Sequence, residues 1–82
     1  MAHRNAVTVK LSDIVNVSQS ELEQAKLNAL EDSYDSFDSQ LNSSQNPIAL
    51  DKTKKPYRIT DGRHRIFLAR KKGYTSVKAV FV

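Results

Sequence analysis

The chain of 82 residues contains no cysteine, and it has only two glycines and two prolines. Without cysteine, the protein cannot form a disulfide framework, a thiolate metal site or a cysteine nucleophile. This composition fits a reducing compartment. A domain of this size buries only about 60% of the surface of its unfolded chain. Residues 1–82 are therefore expected to form a single domain with one modest core.

Long apolar segments are also missing. No run approaches the roughly 20 apolar residues of a membrane-spanning helix, and the N-terminus lacks the apolar region of a signal peptide. We therefore expect a soluble, cytoplasmic protein that has no membrane partner. His3 and His64 are its two histidines, and Asp61 alone lies near His64 in sequence, so no metal site is predicted.

Charge is distributed unevenly along the sequence. Residues 18–46 carry a net charge of −5, whereas residues 47–82 carry +8, with ten Lys and Arg against two Asp. A basic half predicts a polyanionic partner, and the acidic segment 18–46 could bind a basic protein. The alternative is that the two halves are solvated faces that attract each other.

The first residues predict a strand followed by a turn. Apolar and polar residues alternate in AVTVKL, residues 6–11, as in a half-buried strand. The following turn should return Leu11 and Ile14 to the core.

A helix is predicted next. Ser18 with Glu21 and Ser20 with Glu23 both have the spacing of a capping box, so the helix should begin near Gln19. Its buried stripe would contain Leu22, Ala25, Ala29 and Leu30.

A second helical piece is expected before residue 47. Serine and aspartate in this stretch compete with helical backbone bonds, yet Tyr34, Phe37 and Leu41 keep helical spacing. A disordered linker is the alternative.

The remaining sequence predicts a hairpin, a helix and a final strand. PIAL and PYRIT flank the polar loop DKTKK, with Pro47 and Pro56 at the strand starts. A helix should run through RHRIFLARKK to Gly73 at its C′ position, although its basic ARKKGY end could simply be solvated. The fold class is thus α+β, with a small mixed sheet in the order strand-helix(-helix)-strand-strand-helix-strand.

The turn DGRHR, residues 61–65, is the candidate site. A strand that passes through Asp61 and Gly62 into a helix exposes unpaired helical amides, which attract anions. Arg63, His64 and Arg65 add side-chain donors. Successive helical residues are about 100° apart, so at most two of the three can face one phosphate. The alternative is a commonplace turn with solvated or paired charges.

The segment YRITDGRHRIFLARKKGYTSVKAVFV resembles the end of ParB/sulfiredoxin-like domains, and VKLSDIV and QNPIAL resemble their earlier strands. The resemblance implies that Gly62, His64 and Arg65 hold phosphate groups, as the corresponding residues do in that family. Arg63 departs from the pattern, because ParB proteins have an acid there and sulfiredoxins their cysteine. Because the chain has no cysteine, sulfinic acid reduction is excluded. Nucleotide hydrolysis loses support, because an arginine at this position cannot accept a proton.

Two functions follow from these expectations. The first is a domain without a helix-turn-helix unit that binds the phosphates of a nucleotide or nucleic acid through Gly62, Arg63, His64 and Arg65. The basic surround would be Lys54, Lys55 and Arg58. No cofactor is expected to be required, and the nucleotide would be CTP or ATP with magnesium. The second is a non-catalytic protein-interaction or inhibitor module from a phage, plasmid or other mobile element. Enzyme activity is less favoured, and it would be that of a nuclease, nucleotide hydrolase or phosphotransferase.

Overall fold

The computed structural model describes residues 6–32, 36–43 and 45–82. Within these ranges the strands are β1 Val7–Lys10, β2 Ile48–Asp51, β3 Arg58–Asp61 and β4 Ser76–Phe81, and the helices are α1 Gln24–Asp32, α2 Phe37–Leu41 and α3 Arg63–Lys71. This order is the predicted one, so the α+β class is confirmed. In this part of the chain, no helix has both the length and the apolar character needed to cross a bilayer.

The four strands form one mixed sheet in the order β1-β4-β2-β3. Strands β2 and β3 form the predicted antiparallel hairpin. Strand β4 lies between β1, to which it is antiparallel, and β2, to which it is parallel. Because β2 and β4 are parallel, the chain must cross over between them, and α3 lies in that crossover.

The core lies between one face of the sheet and the helices. Alternate strand residues point inward: Val9, Ile48, Leu50, Val77 and Ala79. Leu41 of α2 and Ile66 and Ala69 of α3 pack against them. The predicted return of Leu11 and Ile14 to the core is confirmed, since their exposed fractions are 4% and 3%.

The predicted start of the first helix is wrong. The capping box of Ser18 and Glu21 forms, and the Ser18 N–H donates to Glu21 Oε2 at 2.9 Å. It closes only a single 3-10 turn, Gln19–Glu21, because Leu22 is extended with φ −113° and ψ 154°. Helix α1 begins instead at Gln24.

This later start also changes the buried face of α1. Leu27 is the buried residue of the helix. The predicted stripe is wrong at Ala25 and Ala29, which are exposed, whereas Leu22 and Leu30 are half-buried. The capping box therefore forms as predicted, but the extended Leu22 separates it from α1.

Helix α2 confirms the second helical piece. The Ser36 hydroxyl caps it by accepting a hydrogen bond from the Ser39 N–H at 3.2 Å. Leu41 is fully buried, and the Phe37 ring packs against the core. Tyr34, the other residue of the predicted spacing, lies outside the described residues.

Helix α3 ends at the predicted glycine. Gly73 has a φ of 90°. The Tyr74 N–H donates to the Ala69 carbonyl at 2.9 Å, and the Gly73 N–H to that of Arg70 at 3.1 Å. These two bonds are the Schellman arrangement, which satisfies carbonyls at the end of a helix.

Arg70 corrects the expectation of a solvated helix end. Lys71 and Lys72 are exposed, but Arg70 is half-buried. Its guanidinium donates to the carbonyls of Leu11, Ile14 and Val15 at 2.8, 2.7 and 2.9 Å. Arg70 thus holds the loop that follows β1 against α3.

Arg70→Met should destabilise the protein. It removes the donors to three carbonyls while keeping much of the apolar stem, and hydrogen bonds to charged groups contribute about 1.5–3 kcal/mol each. Because the guanidinium is only half-buried, water can replace part of these bonds, so we expect the free energy of unfolding in urea to fall by roughly 2–3 kcal/mol in total, less than the sum of three such bonds. Lys71→Met is the matched control on the exposed face. Equal stabilities of the two variants would contradict this role of Arg70.

Candidate functional site

A cleft of about 350 Å³ opens beside the turn between β3 and α3. Its walls come from three parts of the chain: α1, the end of α2 with the approach to β2, and the β3–α3 turn. The lining residues are Lys26, Ala29, Leu30, Gln40, Asn46, Asp61, Gly62, His64 and Arg65. The turn that the sequence singled out therefore borders a concave site.

Gly62 is required for the shape of this turn. It is the N-cap of α3 with a φ of 106°, in the left-handed region, and its carbonyl accepts the Ile66 N–H at 2.9 Å. A Cβ at this position would lie 2.9 Å from Ile48 Cγ1, inside van der Waals contact. Both the backbone conformation and the packing on β2 therefore favour glycine.

Arg65 forms the floor of the cleft. Its side chain is buried, and Nη1 donates to the carbonyls of Gln40 at 3.2 Å and Asn46 at 2.6 Å. Nη2 lies 3.8 Å from Asp61 Oδ2. Burial lowers the pKa of the guanidinium, and Asp61 opposes that shift. Arg65 thus joins three segments while placing a positive charge under the cleft.

His64 connects the turn to α1. Its Nε2 accepts the backbone N–H of Glu23 at 3.1 Å, so the imidazole is neutral and carries its proton on Nδ1. Burial lowers the pKa of His64 from its usual 6.5, and the positive charges of Lys26 and Arg63 lower it further, while Glu23 raises it. Protonation would remove the acceptor of the Glu23 N–H.

Four other residues of the predicted site lie outside the cleft. Arg63 is exposed, so His64 and Arg65 are the two members of the basic triplet that line it, consistent with the angular spacing of a helix. Lys54 and Lys55 lie in the β2–β3 hairpin loop, where Lys55 Nζ is 3.6 Å from Asp13 Oδ1. Arg58 lies on β3 opposite Asp51.

Lys26 is the cleft residue that the sequence did not reveal. It lies on α1, and its ammonium is 3.2 Å from Glu23 Oε2 on a largely exposed surface. No local motif connects it to residues 61–65. It reaches the cleft because α1 packs beside α3, which depends on the tertiary structure.

The cleft offers few oxygen ligands to a metal ion. Magnesium requires oxygen ligands, usually one or two carboxylates. Asp61 supplies the single carboxylate among the described lining residues, and it lies beside the guanidinium of Arg65. The positive charges in the cleft suit an anion instead.

No known family profile matches the chain, and no curated protein matches it at a significant level. The likeness to ParB/sulfiredoxin-like domains therefore stays a prediction from the residues themselves. The mixed α+β order agrees with that prediction at the level of fold class.

Gly62→Ala should destabilise the protein more than Gly73→Ala. Both glycines have positive φ, where an L-residue costs about 1–2 kcal/mol. A Cβ at Gly62 also meets Ile48, whereas nothing lies within 4 Å of one at Gly73. Overpacking adds about 1–3 kcal/mol. Urea denaturation of the two variants measures the difference, and equal losses would contradict the close packing of Gly62 on β2.

The folded protein should lose stability when the pH is lowered and His64 becomes protonated. Its pKa is lower in the folded protein than the unfolded value of 6.5, so the unfolded chain binds the proton more readily. The free energy of unfolding should therefore be constant above this value and decrease as the pH falls below it. In His64→Gln, whose amide oxygen can still accept the Glu23 N–H, that component should be absent. Parallel stability profiles from about pH 5 to 8 would contradict the assignment.

Proposed function

We propose that the protein binds the phosphate of a nucleotide in the cleft at the β3–α3 turn. The observation that carries this proposal is the convergence of Lys26, His64 and Arg65 beside Gly62, the N-cap of α3. Helical N–H groups and the helix dipole favour an anion at such a position. Cationic side chains from two helices add to this attraction.

Each of these three side chains has a different part in this binding. Lys26 is exposed and can turn from Glu23 to a phosphate oxygen. His64 can donate through Nδ1, because its Nε2 is used by Glu23. Arg65 contributes its charge from below, since two of its hydrogen bonds already go to carbonyls.

The cleft also has a wall suited to the rest of a nucleotide. Ala29 and Leu30 of α1 give it an apolar part. Its volume lies at the lower end of the roughly 300–1,000 Å³ of small-molecule sites. We therefore favour a mononucleotide, whose sugar or base contacts the apolar wall, over a larger cofactor.

The likeness to ParB/sulfiredoxin-like domains supports the same function, and we propose that the chain has their fold. Gly62, His64 and Arg65 match the phosphate-binding residues of that family and line the cleft. CTP and ATP are the nucleotides that the likeness suggests. Arg63 is exposed at the position of the family's acid or cysteine, so binding is favoured over hydrolysis.

A protein-interaction module based on the acidic segment is less favoured. Several of its carboxylates are engaged within the chain. Glu31 Oε1 lies 3.8 Å from Lys72 Nζ, and Asp38 Oδ1 accepts the Tyr74 hydroxyl at 3.2 Å. Such contacts are those of an acidic surface that packs beside the basic helix α3.

Titration with CTP and ATP, followed by NMR chemical shifts, tests the proposal. We expect saturable shifts at Gly62–Arg65 and at Lys26. Lys26→Gln should weaken binding about tenfold or more, since a hydrogen bond to a charged group is worth about 1.5–3 kcal/mol. Lys52→Gln on the hairpin loop is the control with the same charge change. Arg65 variants are unsuitable because they also remove contacts that hold the fold.

Two results would overturn this function. The first is the absence of shifts at Gly62–Arg65 with either nucleotide or with inorganic phosphate at low salt. The second is an equal effect of Lys26→Gln and Lys52→Gln, which would show that binding depends on net charge alone. If these chemical shifts change with a short oligonucleotide but with neither nucleotide, the cleft binds the phosphates of a nucleic acid instead.

A further inference from the structure

A second polar surface lies on the face of β1 and β4 that is turned away from the core. Val9 and Val77 are paired and buried. The flanking pairs therefore point to the opposite side: Thr8 with Lys78, and Lys10 with Ser76. Thr8, Lys10 and Lys78 are exposed, and Ser76 is half-buried. This surface carries two lysines and two hydroxyl groups.

The two lysines are available to an external anion. Within the described ranges, neither forms an ion pair. Lys78 Nζ donates to Thr8 Oγ1 at 2.8 Å across the strands, which fixes the ammonium on the sheet. Lys10 extends from the neighbouring pair of residues. Together they place two positive charges on one short stretch of sheet.

Tyr74, which is half-buried and packs against the edge of the core, borders the same surface. Three depressions of about 390, 350 and 530 Å³ all have Tyr74 and Ser76 in their walls. Two of them reach Thr8, and they extend to Lys78 and Lys10 respectively. The depressions therefore adjoin at Tyr74 and Ser76, and together they reach both lysines; we call them the groove.

Contacts with α2 fix the Tyr74 side chain. Its ring meets Phe37 edge to face, with centroids 5.8 Å apart, and its hydroxyl donates to Asp38 Oδ1 at 3.2 Å. Asp38 is an acid near the groove, and Lys72, which lies over the Phe37 ring, is itself paired with Glu31. Lys10 and Lys78 therefore give the groove an excess of positive charge.

We propose that this groove binds single-stranded nucleic acid, with backbone phosphates on Lys10 and Lys78 and one base stacked on the exposed part of Tyr74. Proteins that bind single strands combine cations along a groove with fixed aromatic rings, because every base has a π-face. The hydroxyl groups of Thr8 and Ser76 add donors for phosphate or sugar oxygens. The groove shares no lining residue with the nucleotide cleft.

Fluorescence anisotropy of a labelled oligothymidylate tests this site. A length of about 12 nucleotides lies within the range that single-strand-binding folds cover. For Lys10→Gln/Lys78→Gln we expect weaker binding and a plot of log K against log salt that is shallower by about 1.4, since two phosphate contacts are lost. Lys52→Gln/Lys54→Gln on the hairpin makes the same charge change outside the groove and should leave the slope nearly unchanged.

Variants of Tyr74 distinguish base stacking from the attraction of charges. Tyr74→Leu should weaken binding about tenfold, whereas Tyr74→Phe, which keeps the ring, should bind nearly as the unmodified protein does. Circular dichroism confirms that each variant is folded. If Tyr74→Leu fails to fold, a chemical-shift change of the Tyr74 ring on titration supports stacking, and an unchanged ring overturns it.

Three results would overturn the proposal. One is no binding of the oligothymidylate at low salt. Another is equal loss of affinity in the groove and hairpin double variants. The third is equal or tighter binding of polyglutamate or of a DNA duplex, because the groove would then select charge or a different shape. Lys26→Gln should lower the affinity for oligothymidylate less than Lys10→Gln/Lys78→Gln does, which distinguishes this groove from the nucleotide cleft.

Discussion

Two arginines of α3 hold the irregular parts of the chain to the sheet and helices. Arg65 donates to the carbonyls of Gln40, in the last turn of α2, and of Asn46, which precedes β2. Arg70 donates to three carbonyls in the segment after β1. Loops of this kind have few backbone partners of their own, and buried carbonyls must be satisfied. A helix of nine residues therefore organises segments that are distant in sequence on both of its sides.

The cleft beside Gly62 is a consequence of the same arrangement. Arg65 draws the Asn46 carbonyl toward the start of α3, and the His64 imidazole accepts the N–H that precedes α1. These contacts hold α1 and the segment that precedes β2 close to Gly62. The site is therefore concave because the helix start is tied to its neighbours, and not because the glycine turn is itself a pocket.

The sequence predicted most elements because their signals are local. Alternation marked the strands, and a positive-φ glycine marked the end of α3. The position of α1 was not predictable from its capping box, since whether a capped turn continues as a helix depends on packing. Helix α1 turns Leu27 toward the core, and Ala25 and Ala29 remain exposed.

At the candidate site, the roles of the arginine side chains could not be predicted from the sequence. A basic residue near a helix end can be solvated, bind a ligand or satisfy carbonyls, and the sequence looks the same in each case. Burial decides between them: Arg63 is exposed, whereas Arg65 is 6% exposed and bonded to two carbonyls. The basic C-terminal half is thus not one patch. In the proposed function, the affinity of the cleft for a phosphate would therefore depend largely on Lys26 and the start of α3, with Arg65 as a fixed charge beside them.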